Sequence, residues 1–341
     1  MPELPEVEVV RAGIEPAVTG AVISAVEVFE QRSLRRHDLS AGPFTDLLEG
    51  RRVLAAVRRG KFLWLPLDSG RALVIHLGMS GQVLLRAPGS AARISTGSIT
   101  TGSITTGSIT TGSISTGSIT TGSITGGRPA EDRLLRIRLH LEHPVHGELW
   151  LNFVDQRIFG SMAVDRMQPT SDGLPAGFPG AAAAGEWETL IPSQVAHIAR
   201  DPIDPAFPVD AFFRALARKK TGIKRALLDQ TLISGIGNIY ADEALFDARI
   251  HFDQLAASLS AAKARTLLAS VRGILQRALA EGGTSFDAQY VNVNGESGYF
   301  SHSLTAYGQH GKPCLRCGTT MVRAQFMNRS SHFCPRCQRL R

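Results

Sequence analysis

All four cysteines of the chain sit near its C-terminal end, as Cys314-Leu-Arg-Cys317 and Cys334-Pro-Arg-Cys337, with sixteen residues between the pairs. Each Cys-x-x-Cys knuckle presents two sulfurs on one tight turn, and two knuckles at this spacing supply a tetrahedral set for one structural Zn2+. So short a segment cannot bury a core of its own, and metal binding then folds it as a small ribbon. Two disulfides or a redox pair are the competing readings. Disulfides suit a secreted chain, and a redox Cys-x-x-Cys is expected beside a βαβ pattern; neither context is visible here. Four protein ligands leave no open position on the metal, so the site builds structure and does not catalyse.

The charge distribution narrows the partner. The chain of 341 residues carries a formal net charge of +7 and a pI near 9.6. From Ser297 to Arg341 there is no Asp or Glu, whereas Lys312, Arg316, Arg323, Arg329, Arg336, Arg339 and Arg341 supply seven positive charges. Four thiolates and one Zn2+ would leave that tail with about five. A polyanion is the expected partner, with nucleic acid ahead of a membrane surface. No apolar run reaches the length of a membrane span, and acids stand where a secretory signal carries Lys or Arg. A cytoplasmic chain is the expectation.

The length suits two domains. Residues from Pro5 to about Ala17 read as a helix with Val7, Val10 and Ile14 on one face. Strands are predicted at Val22–Phe29, Arg52–Arg58, Lys61–Leu67, Ala72–His76, Leu134–Leu141 and Glu148–Phe153, which suggests a β-sandwich capped by helices. Between the strands, Thr-Gly-Ser-Ile-Thr/Ser begins six times, at Thr96, Thr101, Thr106, Thr111, Thr116 and Thr121. A period of five fits neither helix nor strand, and one Ile per repeat builds no core. The repeat, 96–125, reads as an uncharged loop insertion without a role in binding. After a Pro/Gly/Ala-rich stretch the pattern turns helical, at Asp210–Arg218, Ile223–Leu228, Ile239–Leu245 and Ala261–Glu281. The expected fold class is α+β with two domains. An N-terminal sandwich domain spans 1–165 and a linker 166–208. A helix-two-turn-helix bundle follows at 209–296, and a zinc β-ribbon at 297–341.

The first residues, Met1-Pro2-Glu3-Leu4-Pro5-Glu6, carry a chemical signal. Trimming of Met1 leaves Pro2 as a terminal secondary amine, which attacks an electrophilic carbon and becomes a cationic iminium. An α-amino group titrates near roughly 7.7–8.0, so a usable fraction is unprotonated at neutral pH.

Four segments together resemble the formamidopyrimidine-DNA glycosylase family. They are Met1–Glu8, His76-Leu-Gly-Met-Ser-Gly81, the run from Gly222 to Glu243, and Arg329-Ser-Ser-His-Phe-Cys-Pro-Arg-Cys-Gln338. The match covers nearly the whole chain apart from the repeat and part of the linker. It implies excision of oxidised purines from duplex DNA followed by strand cleavage. Pro2 would be the nucleophile at sugar C1′, and Glu3 the group that protonates or holds the opening sugar. Glu6 would assist, or act as a first-turn acid on its helix. Lys61 matches a lysine near the scissile phosphates. A base inside the stack is out of reach and must be rotated out. Met79, Arg157 and Phe159 match the family's void fillers, Arg157 facing the orphaned cytosine. By themselves Met79 and Phe159 would read as core residues. Asp155-Gln-Arg-Ile-Phe-Gly160 departs at Gln156 and Ile158 from the Pro and second Arg that many members carry. Leu232–Asn238 resembles the turn of the helix-two-turn-helix element, with Gly235 and Gly237 at positive φ and Asn238 capping the next helix. Lys224, Asn238 and Arg329 are the further DNA contacts, and Cys314, Cys317, Cys334 and Cys337 the zinc ligands. The loop from Gly282 to Tyr299 corresponds to a cap over the everted base. The sister enzyme endonuclease VIII, which prefers oxidised pyrimidines, and a non-catalytic damaged-DNA binder are the alternatives. Leu4, Met79 and the 282–299 loop favour the purine enzyme, and Pro2, Glu3 and Lys61 speak against the binder. The expected partner is duplex DNA with an oxidised purine or an abasic site, met by a monomer.

Overall fold

Alternating apolar residues in the first half become two antiparallel sheets in a computed structural model that describes residues 2–88, 133–284 and 300–340. The repeat at 96–125 and most of the 282–299 loop lie outside the described residues. The first helix, α1 (Leu4–Val18), is followed by β1 (Val22–Val28) and a short α2 (Phe44–Leu48). One sheet has the order β1, β6 (Leu135–His143), β7 (Gly147–Asp155), β5 (Gly81–Arg86). The second runs β2 (Val57–Arg59), β3 (Phe62–Pro66), β4 (Arg71–His76), β8 (Ser161–Pro169), β9 (Leu190–Pro192). The inward residues Ile137, Leu139, Leu141 and Leu151 of one sheet meet Leu63, Leu65, Leu73 and Ile75 of the other. Val7, Val10 and Ile14 of α1 join the same core, as their helical spacing predicts.

Two features of the sandwich differ from the sequence reading. The stretch Arg52–Arg58 forms ladder pairs only from Val57, with isolated bridges at Arg52 and Val53. The boundary expected at 165 falls inside β8, and the stretch expected to be a linker, 166–208, is packed throughout, up to Ile198 on the sandwich and at Ile203 and Phe207 in the helical core. Ala176, Ile191, Val195 and Ile198 cover the outer face of the second sheet, where Val57, Trp64, Ala72 and Val74 would otherwise meet water. A sheet buried on both faces loses the in-out alternation that marks a domain end in a sequence.

The second half contains α3 (Val209–Leu216), α4 (Ile223–Leu227), α5 (Asn238–Asp247) and α6 (Ala261–Ala280), the last capped by the Ser260 hydroxyl on the Lys263 amide. Ile223, Leu227, Ile236, Tyr240, Leu268 and Leu275 form its core, together with Leu4 from the start of the chain. Phe300 and Leu304 also join this core, so the helical packing runs past the boundary set at 297. A hairpin of β10 (Val322–Phe326) and β11 (Arg329–Phe333) completes the chain. It meets α5 where Asp242 accepts the His332 amide at 2.9 Å, and the segment before it is held on α5 by Glu243, which accepts the amides of Thr305, Ala306 and Tyr307 and the Thr305 hydroxyl.

Candidate active site and nucleic-acid interface

The chain start crosses from the sandwich into the helical half. Leu4 donates its amide to the Gly235 carbonyl at 2.9 Å, and Pro2 and Glu3 are buried at this junction. Glu3 lies at the head of α1, but its carboxylate serves another helix. It accepts the backbone amides of Gly237 and Ile239, the latter at 2.9 Å, and Tyr240 at 3.4 Å. These are the orphan donors at the N-terminus of α5, where the helix dipole favours negative charge. Burial nevertheless outweighs the donors and the nearby Lys61 charge, and pushes the Glu3 carboxyl up to about 6. A carboxyl in that range exchanges a proton near neutrality.

This contact explains the two glycines of the turn. Gly235 has φ of +88°, as the sequence suggests, but Gly237 does not, at −126°. A Cβ on Gly237 would collide with the Glu3 carboxyl group. A side chain has no room there because the Glu3 carboxylate occupies its space. Asn238 also differs from expectation. Gly237 is the cap residue and Asn238 the first helical position, and its side-chain amide donates to the Ser330 carbonyl of the ribbon at 3.2 Å.

Glu6 stays inside this junction. Its carboxylate accepts the Glu3 amide at 2.8 Å, the Tyr240 hydroxyl at 2.5 Å and the Thr284 amide at 2.8 Å. It thus ties the chain start to α5 and to the residue that leads into the 285–299 segment. Lys61, on the turn between β2 and β3, donates to the Ile236 carbonyl at 2.8 Å. Burial lowers its pKa, against the pull of Glu3 and Glu6. Lys61 lines a cleft of about 530 Å³ with His76, Gln230, Gly237 and Arg329. His76 is held neutral, its pKa pushed down to about 4 by burial and by Arg36 and Arg35. Tyr240 and His76 are within reach of the sequence only as members of quoted motifs; their partners come from remote segments.

Met79, Arg157 and Phe159 come together at a second place. Met79 is 43% and Phe159 48% exposed, which overturns a core role for either. Both loops are anchored by Asp155, which accepts the Ser80 hydroxyl at 2.5 Å, the Arg157 amide at 3.1 Å and the Gly160 amide at 2.6 Å. Apolar tips on a fixed backbone are suited to enter a base stack.

Lys224, expected to reach a phosphate, is corrected by the structure. It is 0% exposed, paired with Asp242 at 2.7 Å, and donates to the Ser331 hydroxyl at 2.7 Å. Its ammonium joins α4 and α5 to the ribbon. Arg329 is exposed at the head of β11, on the rim of the cleft that Lys61 lines. The sulfurs of Cys314, Cys317, Cys334 and Cys337 all lie within 4.8 Å of one another, with Cys317 at 3.5 Å from both Cys334 and Cys337. Tetrahedral Zn–S bonds of about 2.3 Å imply S···S separations of about 3.8 Å. The donor set fits one structural Zn2+. Among the described residues no helix is long and apolar enough to cross a membrane.

The comparisons with known proteins follow the same three parts. Residues 1–162 match the formamidopyrimidine-DNA glycosylase N-terminal domain, 198–289 the H2TH domain of that glycosylase, and 311–340 a zinc finger found in FPG and IleRS. A formamidopyrimidine-DNA glycosylase of Leifsonia xyli subsp. xyli is 60% identical over 342 residues, covering 100% of both chains. The crystal structure of the MutM (Fpg) protein of Thermus thermophilus superposes with a TM-score of 0.69 at 30% identity, covering 100% of both chains. A Lactococcus lactis Fpg variant in complex with Fapy-dG-containing DNA gives 0.70 at 25% identity, over 99% of this chain and 100% of that one. With all three domains of the family matched in order and a relative 60% identical over the full length, the chain belongs to the formamidopyrimidine-DNA glycosylase family.

Proposed function

We propose that the protein is a DNA glycosylase and abasic-site lyase that removes oxidised purines, 8-oxoguanine and formamidopyrimidines, from duplex DNA. Once Met1 is trimmed, the unprotonated Pro2 nitrogen attacks C1′, the C1′–N bond to the base breaks, and the proton that the Pro2 nitrogen then loses is matched by one taken up by the departing base. Glu3 gives a proton to O4′ as the sugar ring opens, which leaves an iminium between Pro2 and C1′. The iminium draws electrons and acidifies C2′–H. Loss of that proton breaks the 3′ C–O bond, and a second elimination breaks the 5′ C–O bond. Lys61 and Arg329 hold the phosphates beside the extruded nucleotide, and Asn238 adds a contact from the head of α5. Met79, Phe159 and Arg157 fill the gap, Arg157 with its N–H groups toward the orphaned cytosine. The zinc ribbon holds Arg329 in place and takes no part in bond breaking. On this reading the protein works as a cytoplasmic monomer.

The observation that supports this reading most is the Glu3 carboxyl: it adjoins Pro2 in the chain and is buried on the α5 N-terminus, where desolvation pushes it up to about 6. Borohydride reduction during reaction with an 8-oxoguanine duplex should trap a covalent adduct mapped by mass to Pro2, and Pro2→Gly should lose it. Absence of any adduct with the wild-type chain favours the damaged-DNA binder. Faster trapping on an oxidised-pyrimidine duplex favours the endonuclease VIII reading.

A further inference from the structure

The loop that presents Arg157 and Phe159 has an unusual backbone. Ile158 adopts φ of +56°, a conformation that a β-branched residue occupies only under external constraint. The loop lies directly on the Met79 turn. A Cβ on Gly78 would collide with the Phe159 carbonyl group, so the two loops touch backbone to backbone. One side chain from a third, distant segment grips the strained stretch. Arg35 donates one guanidinium nitrogen to the carbonyls of Ile158 and Gly160, both at 2.9 Å, and the other to the carbonyl of Phe159. Three consecutive carbonyls are thereby aimed at one planar fork, which keeps Ile158 in its left-handed geometry.

Arg35 is itself well placed to act as a clamp. It ends a short 3-10 turn, Gln31–Leu34, that is fixed by the Glu30 side chain on the Arg32 amide. Leu34 packs on the sandwich core. The neighbouring Arg36 points elsewhere, over the Phe62 ring at 5.5 Å. Asp155 holds the loop from the inner side through amides, and Arg35 holds it from the outer side through carbonyls. Without the fork, Ile158 would relax to negative φ, and the peptides on either side, which carry Arg157 and Phe159, would turn with it.

We propose that Arg35 is a positioning residue for the wedge: it sets the loop 156–160 so that Phe159 enters the stack while Arg157 faces the orphaned base. It therefore governs opposite-base discrimination without touching the reacting atoms. The inference rests on the glycosylase reading above.

The test compares Arg35→Ala and Arg35→Lys with the wild type. Lysine keeps the charge but cannot bridge three carbonyls. Both variants should lower kcat/KM for 8-oxoguanine excision from duplex DNA by about tenfold or more, within the range that misplacement of a positioning group costs. Both should flatten the preference for cytosine over adenine opposite the lesion, and both should give a smaller fluorescence change from 2-aminopurine placed beside the lesion. Cleavage of a single-stranded abasic oligonucleotide, where no partner base must be replaced, should stay within about twofold of wild type. The salt dependence of duplex binding should keep its slope, since no phosphate contact is lost. Recovery of wild-type discrimination in Arg35→Lys, or a shallower salt slope in Arg35→Ala, would show a plain phosphate contact and overturn the proposal. Unchanged discrimination in both variants would do the same. A wild-type chain that forms no borohydride adduct instead removes the glycosylase reading, so the two failures are distinguishable.

Discussion

On the proposed reading, the Pro2–Glu3 junction is the reaction centre and the Met79 and Phe159 loops are the wedge, and the two hold their functional groups still in different ways. At the centre, Glu3 and Glu6 are buried and Lys61 half-buried, and each is gripped by its own polar atoms: Glu3 by the amides of α5, Glu6 by Tyr240 and Thr284, Lys61 by the Ile236 carbonyl. At the wedge, the tips of Met79 and Phe159 are left in solvent and the grip is on the backbone, through Asp155 and Arg35. The difference follows from what each must do. A proton donor needs a fixed environment to have a fixed pKa, whereas a wedge needs an apolar surface kept free for the base stack. The centre is also built across two halves of the chain, and the wedge within one.

The contrast is broken most sharply at Gly237. Gly237→Ala should force the Glu3 carboxyl off α5 and lower base excision by about 10²–10³-fold, the scale of losing a general acid. Circular dichroism should still report a folded chain; activity within a few-fold of wild type would show that the Glu3 seat is dispensable. Lys224→Met comes next. Removing one partner of a buried pair costs about 3–5 kcal/mol, so the variant should melt earlier and bind zinc less tightly. The salt slope of DNA binding in the folded fraction should not change, because Lys224 makes no phosphate contact. Phe159→Ala should reduce duplex excision by about tenfold while stability stays within about 0.5 kcal/mol, as for an exposed side chain. A large fall in melting temperature would place Phe159 in the core after all.

The centre is sharpened by titration. Burial raises Glu3 above its ordinary 4.5 to about 6, so the neutral acid forms as pH falls through 6. A 13C carboxyl signal from Glu3 should titrate there in the free protein. Lys61 favours the carboxylate, so Lys61→Met should move the midpoint upward. In kcat/KM the limb that needs the acid form should decline as pH rises through the same midpoint. A midpoint near 4.5 would leave Glu3 an ordinary carboxylate. The smallest effect is expected from deleting 96–125, which should leave cleavage within about twofold of wild type.

Much of this is readable along the chain. The zinc ligands are legible because metal geometry imposes a short, local spacing that few other demands produce. Helix α6 and strand β6 are legible because one face of each repeats with its own period. β8 and β9 are not, since the outer face of their sheet is covered by 176–198 and alternation is lost. Lys224 misleads for a related reason. A lysine beside an arginine in a basic run looks solvent-exposed, and its partners Asp242 and Ser331 lie 18 and 107 residues away.

The sequence alone determined which chemical groups exist: a proline at position 2, a terminal secondary amine once Met1 is trimmed, with a carboxylate beside it, four sulfurs in two knuckles, and a surplus of positive charge near the C-terminus. These are covalent or local properties and survive in an unfolded chain. Tertiary structure decided what each group is able to do. The pKa of Glu3, the seat left open by Gly237, the burial of Lys224 and the grip of Arg35 all depend on segments far apart in sequence, because desolvation and hydrogen bonding are set by neighbours in space.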